Sequence, residues 1–181
     1  GDYFETLRRI EELDPRIDFF WTGRAICSAT IDLADAAAIS RSIARPVTYW
    51  DNYPVNDVAM GNELHIGPYR GRDRHLYRFA DGVIANGMEL FEASKIAFAT
   101  IADYLWSPED YREEESWQVA MRDVVGESAL PDFAMFADTV RSSCLSADDA
   151  PEVSAAIERF EYELSEADPK RAPADHARFA Q

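Results

Sequence analysis

The sequence predicts an α/β fold: the C-terminal part of a (β/α)8 TIM barrel, about three strand-helix units, followed by an α-helical domain. Three segments carry this prediction. Residues 16–21 (Arg-Ile-Asp-Phe-Phe-Trp), 45–49 (Arg-Pro-Val-Thr-Tyr) and 82–85 (Gly-Val-Ile-Ala) gather β-branched and aromatic residues over a strand's length, and each opens into polar residues or glycine. Their strand starts, near 17, 47 and 82, are spaced about one βα unit apart, since a unit takes roughly 30 residues. Between them lie helical patterns at 31–44, with Ala36, Ile39 and Ile43, and at 72–80, with Leu76 and Phe79. Three parallel strands cannot close a barrel that needs eight and typically about 250 residues. The chain is therefore expected to hold the last three units, its first five strands lying upstream. An independent three-stranded doubly wound domain is the structural alternative.

The remaining elements follow in order. Residues 2–13 read as a helix with Phe4, Leu7 and Ile10 on one face, and residues 89–106 as a long one with Phe91, Ile96, Phe98, Ile101 and Leu105. Ser107-Pro108-Glu109-Asp110 has a helix start's signature: Ser as N-cap, Pro at the first position, acids in the first turn. Trp117, Ala120, Met121, Val124 and Val125 give that helix an apolar face. Two more helices are expected at 133–145, opened by Leu130-Pro131-Asp132, and at 151–164, opened by Asp148-Asp149. The domains are then 1–106, the barrel portion; 107–167, the helical part; and 168–181, a polar proline-bearing tail expected to be mobile.

Composition narrows the function. A chain of 181 residues that is 47% hydrophobic is globular. Its net charge of -16 argues against nucleic acid, which is held by Lys and Arg neutralising phosphate. The run Glu113-Glu114-Glu115 reads as a solvated face. No stretch is long and apolar enough to span a bilayer and no signal peptide is seen, so no membrane partner is expected. With the natural N-terminus expected upstream, localisation stays unassigned. Cys27 and Cys144 are far apart in the chain, so a disulfide framework is not expected.

Several signals carry no chemistry. His65, His75 and His176 lack metal-ligand spacing or a triad pattern, and no cofactor is expected. Residues 67–72 (Gly-Pro-Tyr-Arg-Gly-Arg) lack the ending of a phosphate loop and read as a turn into the 72–80 helix. Asp148-Asp149 reads as a helix cap.

The informative run is Trp50-Asp51-Asn52-Tyr53-Pro54-Val55-Asn56-Asp57, which places aromatic, amide and carboxylate groups at the C-terminal end of the second strand. In an α/β barrel that end is the catalytic face. A carboxylate with two amides suits neutral hydroxyls, because it accepts from them while amides both donate and accept. The bland alternative makes Asp51, Asn52 and Asn56 turn formers around Pro54.

Together with Trp21-Thr22-Gly23 and Leu64-His65-Ile66-Gly67-Pro68-Tyr69-Arg70-Gly71-Arg72, this run closely resembles glycoside hydrolase family 84. That family holds bacterial β-N-acetylglucosaminidases and the animal enzyme that removes O-linked N-acetylglucosamine from proteins. Residues 92–106 are similar to the helix that closes the family's barrel, so firm resemblance covers about residues 15–106. The resemblance implies a retaining hexosaminidase whose nucleophile is the substrate's own acetamido oxygen, an exception to the two-carboxylate scheme. It also implies an adjacent aspartate pair at the end of the fourth barrel strand, which no strand here offers, and an assisting tyrosine that likewise lies upstream. By that resemblance Trp50 lines the acetamido pocket, Asn52 lies beside the reacting centre, Asp57 takes the 4- and 6-hydroxyls, and Asn86 binds hydroxyls on the far side of the ring. The sequence departs from the family at Gly87 and Arg24, where proline is common. Trp117 reads as an aglycone wall or, more simply, as a core tryptophan.

Two functions follow from these readings. One is part of a β-N-acetylglucosaminidase whose substrate is a β-N-acetylglucosaminide on a glycoprotein or glycan. Its structural partner is the N-terminal part of the barrel, in the same protein or a companion chain, and this piece alone is expected to be inactive. The other is a non-catalytic sugar-binding or assembly module.

Overall fold

The computed structural model describes residues 2–145 and 150–167. Its centre is a three-stranded parallel sheet in the order β1 (Phe20–Trp21), β2 (Val47–Asp51), β3 (Ala80–Ala85). Along β2 the buried residues Val47, Tyr49 and Asp51 alternate with Thr48 and Trp50, the period of two that a pleated strand imposes. The register sets Trp21 beside Tyr49 and Tyr49 beside Val83 on one face. On the other, Phe20 lies beside Thr48 and Trp50 beside Ile84.

The first face is covered. α1 (Asp2–Arg9) and α2 (Leu33–Ile43) pack there, and Leu7, Ile39, Ile43, Val47, Tyr49 and Leu76 form one apolar cluster. α2 starts where Asp32 accepts the Asp35 N–H at 2.8 Å and stops where Ala44 turns left-handed at φ 55°. The second face is open. Phe20 is 50% exposed, Trp50 37% and Ile84 39%, with the Phe20 and Trp50 rings 6.0 Å apart.

A second layer follows β3. α3 (Phe91–Trp106), α4 (Glu113–Val125) and α5 (Leu130–Thr139) share a core of Met88, Ile96, Trp117, Ala120, Met121 and Ala137. α6 is Pro151–Ala167. α4 thus packs on α3 through Trp117, Ala120 and Met121, residues expected to be apolar, while α5 follows on α4 and α6 on α5.

Four expectations are corrected. The first strand shortens to Phe20–Trp21. The 72–80 helix is replaced by a parallel bridge between Ile31 and Arg72 and a single 3-10 turn, Leu76–Arg78. There the Asp73 N–H goes to the Ile31 carbonyl at 3.0 Å and the Ile31 N–H to Gly71 at 2.8 Å, so this backbone is tied to the start of α2. Ser107 opens no helix: its carbonyl takes the Asp110 and Tyr111 N–H groups in a turn, and α4 begins at Glu113. The Tyr111 hydroxyl donates to the Tyr69 carbonyl at 2.7 Å, tying this turn to the segment before Arg72. Finally, α5 runs over Leu130–Thr139 and does not continue to 145. Asp148, Asp149, His176 and the 168–181 tail lie outside the described residues.

Candidate functional site

The C-terminal ends of the three strands meet at Asn52. Its Oδ1 accepts the Trp50 indole N–H at 3.0 Å and the Asn86 amide N–H at 3.0 Å, while its Nδ2 donates to the Ile26 carbonyl at 2.7 Å. Two donors on one side and an acceptor on the other fix which way the amide points. Each strand end contributes a support. After β1, the Thr22 hydroxyl donates to the Ala25 carbonyl, and the Ser28 hydroxyl donates to Thr22 and accepts from the Ala25 N–H, knitting residues 22–28 into a compact loop. Gly23 adopts φ 92° there, and a Cβ at that position would run into the Ser28 hydroxyl. After β3, the Asn86 N–H extends the sheet to the Asp51 carbonyl at 2.9 Å and its own carbonyl accepts the Val55 N–H at 2.8 Å.

Asp51, between Trp50 and Asn52, points the other way. Arg72 meets its carboxylate with two bonds, Nε to Oδ2 at 2.8 Å and Nη2 to Oδ1 at 2.6 Å, and the Tyr69 hydroxyl donates to Oδ2 at 2.5 Å. Arg72 is anchored in turn by the carbonyls of Ala29 and Arg70, each at 3.0 Å. The pair is dry, with side-chain exposures of 1% and 3%. Burial opposes the charge on Arg72, but its bonds to Asp51 and the fields of Tyr69 and Asp51 leave its pKa raised. Burial, and then the Asp51 charge, pushes the Tyr69 phenol well above its usual range. Asp51 is therefore a structural carboxylate and offers nothing to a ligand hydroxyl.

Asp57 stands apart. It is exposed at the head of the 3-10 turn Val58–Met60, and its carboxylate makes no capping bond there. The Asn56 amide donates to the Glu63 carbonyl at 2.7 Å, closing this loop. Buried His65 pegs the loop's base, one ring nitrogen 2.8 Å from the Val55 carbonyl and the other 2.8 Å from Glu63 Oε2. Among the described residues no cluster of three His, Cys, Asp or Glu could hold a metal ion.

Of the four sequence-predicted site residues, the structure thus joins Trp50, Asn52 and Asn86 and leaves Asp57 separate. Trp117 is in the core, 2% exposed, with its indole N–H 2.7 Å from the Ile66 carbonyl and Arg141 stacked 4.5 Å over its ring. Sequence reasoning missed the closure of Asp51 by Arg72 and Tyr69. It also missed Cys144, whose thiol donates to the Asn52 carbonyl at 3.7 Å.

Comparison with known proteins identifies the family. The sequence model of the β-N-acetylglucosaminidase family (NAGidase) matches residues 1–138. The protein O-GlcNAcases of Rattus norvegicus and Mus musculus are each 35% identical over 94 residues, which is 52% of this chain and 10% of theirs. A mutant of the Thermobaculum terrenum O-GlcNAc hydrolase superimposes with a TM-score of 0.84 at 38% identity, over 89% of this chain and 35% of that one. The structure named CpGH84B gives 0.78 at 33% identity, over 89% of this chain and 28% of that one. The chain therefore spans about a third of the solved relatives and a tenth of the curated ones. The family match takes in the sheet, the amide cluster and the helices through α4, and it makes this chain a member of the β-N-acetylglucosaminidase family, the O-GlcNAcase-type enzymes of glycoside hydrolase family 84.

Proposed function

We propose that the whole protein is a retaining β-N-acetylglucosaminidase that works through substrate assistance, and that this chain supplies the sugar-holding side of its site. In this reading the sheet is the last three strands of a (β/α)8 barrel with a helical domain after it. The strands that complete the barrel carry the aspartate pair. The substrate's acetamido oxygen attacks the anomeric carbon while one aspartate orients the acetamido N–H. The other protonates the departing glycosidic oxygen, then removes a proton from the water that opens the oxazoline.

The observation that carries the reading is the convergence of Trp50 and Asn86 on Asn52 at the strand ends. Its valences suit the roles. The Trp50 indole N–H is spent on Asn52, so toward a ligand it presents only the ring, as an apolar wall for an acetamido methyl must. Asn52 Oδ1 holds two donors already, which leaves one amide N–H for a substrate oxygen. Asn86 keeps its Oδ1 and a second N–H for hydroxyls. The exposed, uncapped Asp57 carboxylate is suited to receive further hydroxyls once a sugar arrives. The open face lined by Phe20, Trp50 and Ile84 is suited to receive the missing strands' side chains.

The test is hydrolysis of an aryl β-N-acetylglucosaminide by the full-length protein, with and without Asn52→Ala. Turnover that collapses in the variant at unchanged fold supports the reading. Binding of N-acetylglucosamine with no turnover in any full-length form favours the non-catalytic sugar-binding module instead.

A further inference from the structure

Buried His65 meets a group that only accepts at each of its ring nitrogens: the Val55 carbonyl at 2.8 Å and Glu63 Oε2 at 2.8 Å. A neutral imidazole has one N–H, so it serves one of these acceptors and turns a lone pair on the other. Only the imidazolium donates to both. The Glu63 side chain is half exposed and water solvates its ionised form, so the extra proton belongs to the ring. What the ring joins is the loop that carries Asp57. Val55 precedes Asp57 and Glu63 follows it, so the two bonds draw the loop's ends together, and the Asn56 amide adds a third tie to the Glu63 carbonyl at 2.7 Å. Val55 also gives its N–H to the Asn86 carbonyl at 2.8 Å, which sets this base against the amide cluster. At the loop's tip Val58 adopts φ 51°, a left-handed conformation that a β-branched residue takes only under constraint. The tip therefore depends on a firmly held base.

We propose that His65, as an imidazolium paired with Glu63, is a positioning residue that holds the Asp57 loop against Asn86, and that loss of its proton loosens the loop and weakens sugar binding. The effect on sugar binding rests on the proposed function; the proton-dependent tie does not. The doubly bonded form holds one proton more than the neutral ring, so the tie is complete at acid pH and is lost as pH rises through the range in which histidine titrates, about 5 to 8. The titratable groups against the ring are Glu63 and, from the end of β2, Tyr53, whose ring centroid is 6.4 Å away. The Tyr53 hydroxyl donates to the Gly67 carbonyl and burial raises it far above the usual phenol range, so it stays neutral throughout. Glu63→Gln isolates the proton. A glutamine amide of the same length donates to a neutral imidazole and accepts from an imidazolium, so both bonds of the ring survive at either pH.

The experiment compares the full-length protein with its Glu63→Gln and Glu63→Ala variants at both ends of a range from about pH 5.5 to 8.5. It reads KM for an aryl β-N-acetylglucosaminide and, by mass spectrometry, the amide hydrogen exchange of the loop between Asn56 and Glu63. The wild-type KM, taken relative to that of Glu63→Gln, should rise about two- to tenfold from the acid to the alkaline end, the size of one lost hydrogen bond. Over the same range the loop amides of the wild type should become less protected than those of Glu63→Gln. Glu63→Ala, which removes the partner, should have a raised KM and a poorly protected loop at both ends, and the recovery of both in Glu63→Gln separates the missing proton from a merely misfolded loop. Wild-type and Glu63→Gln profiles that run parallel in KM and in exchange would overturn the proposal. A split in exchange with parallel KM profiles would overturn the coupling of the tie to the sugar. Absence of turnover in every form would instead count against the proposed function, and the exchange comparison would still decide the tie.

Discussion

Arg72 closes the Asp51 carboxylate with two hydrogen bonds, at 2.8 and 2.6 Å, directly behind the strand end whose other side chains, Trp50 and Asn52, make up the amide cluster. Because Asp51 sits between them in sequence, this buried pair fixes the backbone from which both project.

Replacing Arg72 by Met would leave Asp51 as an uncompensated buried charge and should destabilise the protein by about 3–5 kcal/mol. Chemical denaturation checks the loss. Arg72→Lys should recover part of it only, because a point charge cannot reproduce the fork. Equal stability of Arg72→Met and the wild type would mean that the pair contributes nothing to the fold.

Asn52→Ala in the full-length protein removes an acceptor shared by Trp50 and Asn86. Two orphaned donors should lower sugar affinity and turnover by more than Asn86→Ala does, since that change strips only one of them. Steady-state kinetics on the two variants and their double mutant give the order, and the double mutant should fall short of additivity.

Asp57→Ala should weaken sugar binding and turnover about ten- to a hundredfold per hydroxyl lost, as a charged hydrogen bond contributes roughly 1.5–3 kcal/mol. Its melting temperature should stay near the parent's, because the carboxylate caps nothing. Normal kinetics for this variant would place the hydroxyl-binding carboxylate elsewhere.

Stability should fall at alkaline pH. Burial, with the charges of Asp35 and Asp32, pushes Tyr49 up to about 12, and burial also raises Tyr53, Tyr69, Tyr104 and Tyr111. Cys144 is raised to about 12 from an ordinary value of 9.0. The folded state thus keeps protons that the unfolded chain has released, so the stability they contribute is full below about pH 9 and is lost as pH rises toward and past 12. Thermal melts from neutral pH to 12 should be level at first and then decline. A melting temperature constant through pH 11 would contradict these shifts.

The strands were legible because β-branched and aromatic residues crowd Val47–Asp51 and Ala80–Ala85, and strand ends are where parallel sheets place polar groups. That rule, with the family resemblance, also pointed to Trp50, Asn52 and Asn86, which the structure joins by hydrogen bonds. What escaped was long-range pairing. Leu76 and Phe79 stand one helical turn apart, yet the backbone around Arg72 bonds to Ile31, and its guanidinium is drawn inward by Asp51. The Cys144 bond to the Asn52 carbonyl joins a segment after α5 to the end of β2, a distance over which no local period carries information.

The central claim is that these residues hold the sugar while an acid outside them does the chemistry. Its most direct test is the rate of aryl β-N-acetylglucosaminide hydrolysis by the purified 181-residue chain, before and after adding the N-terminal portion of the same protein. The account predicts no turnover from the chain alone and turnover once the missing strands are supplied. Robust hydrolysis by the chain by itself would contradict it.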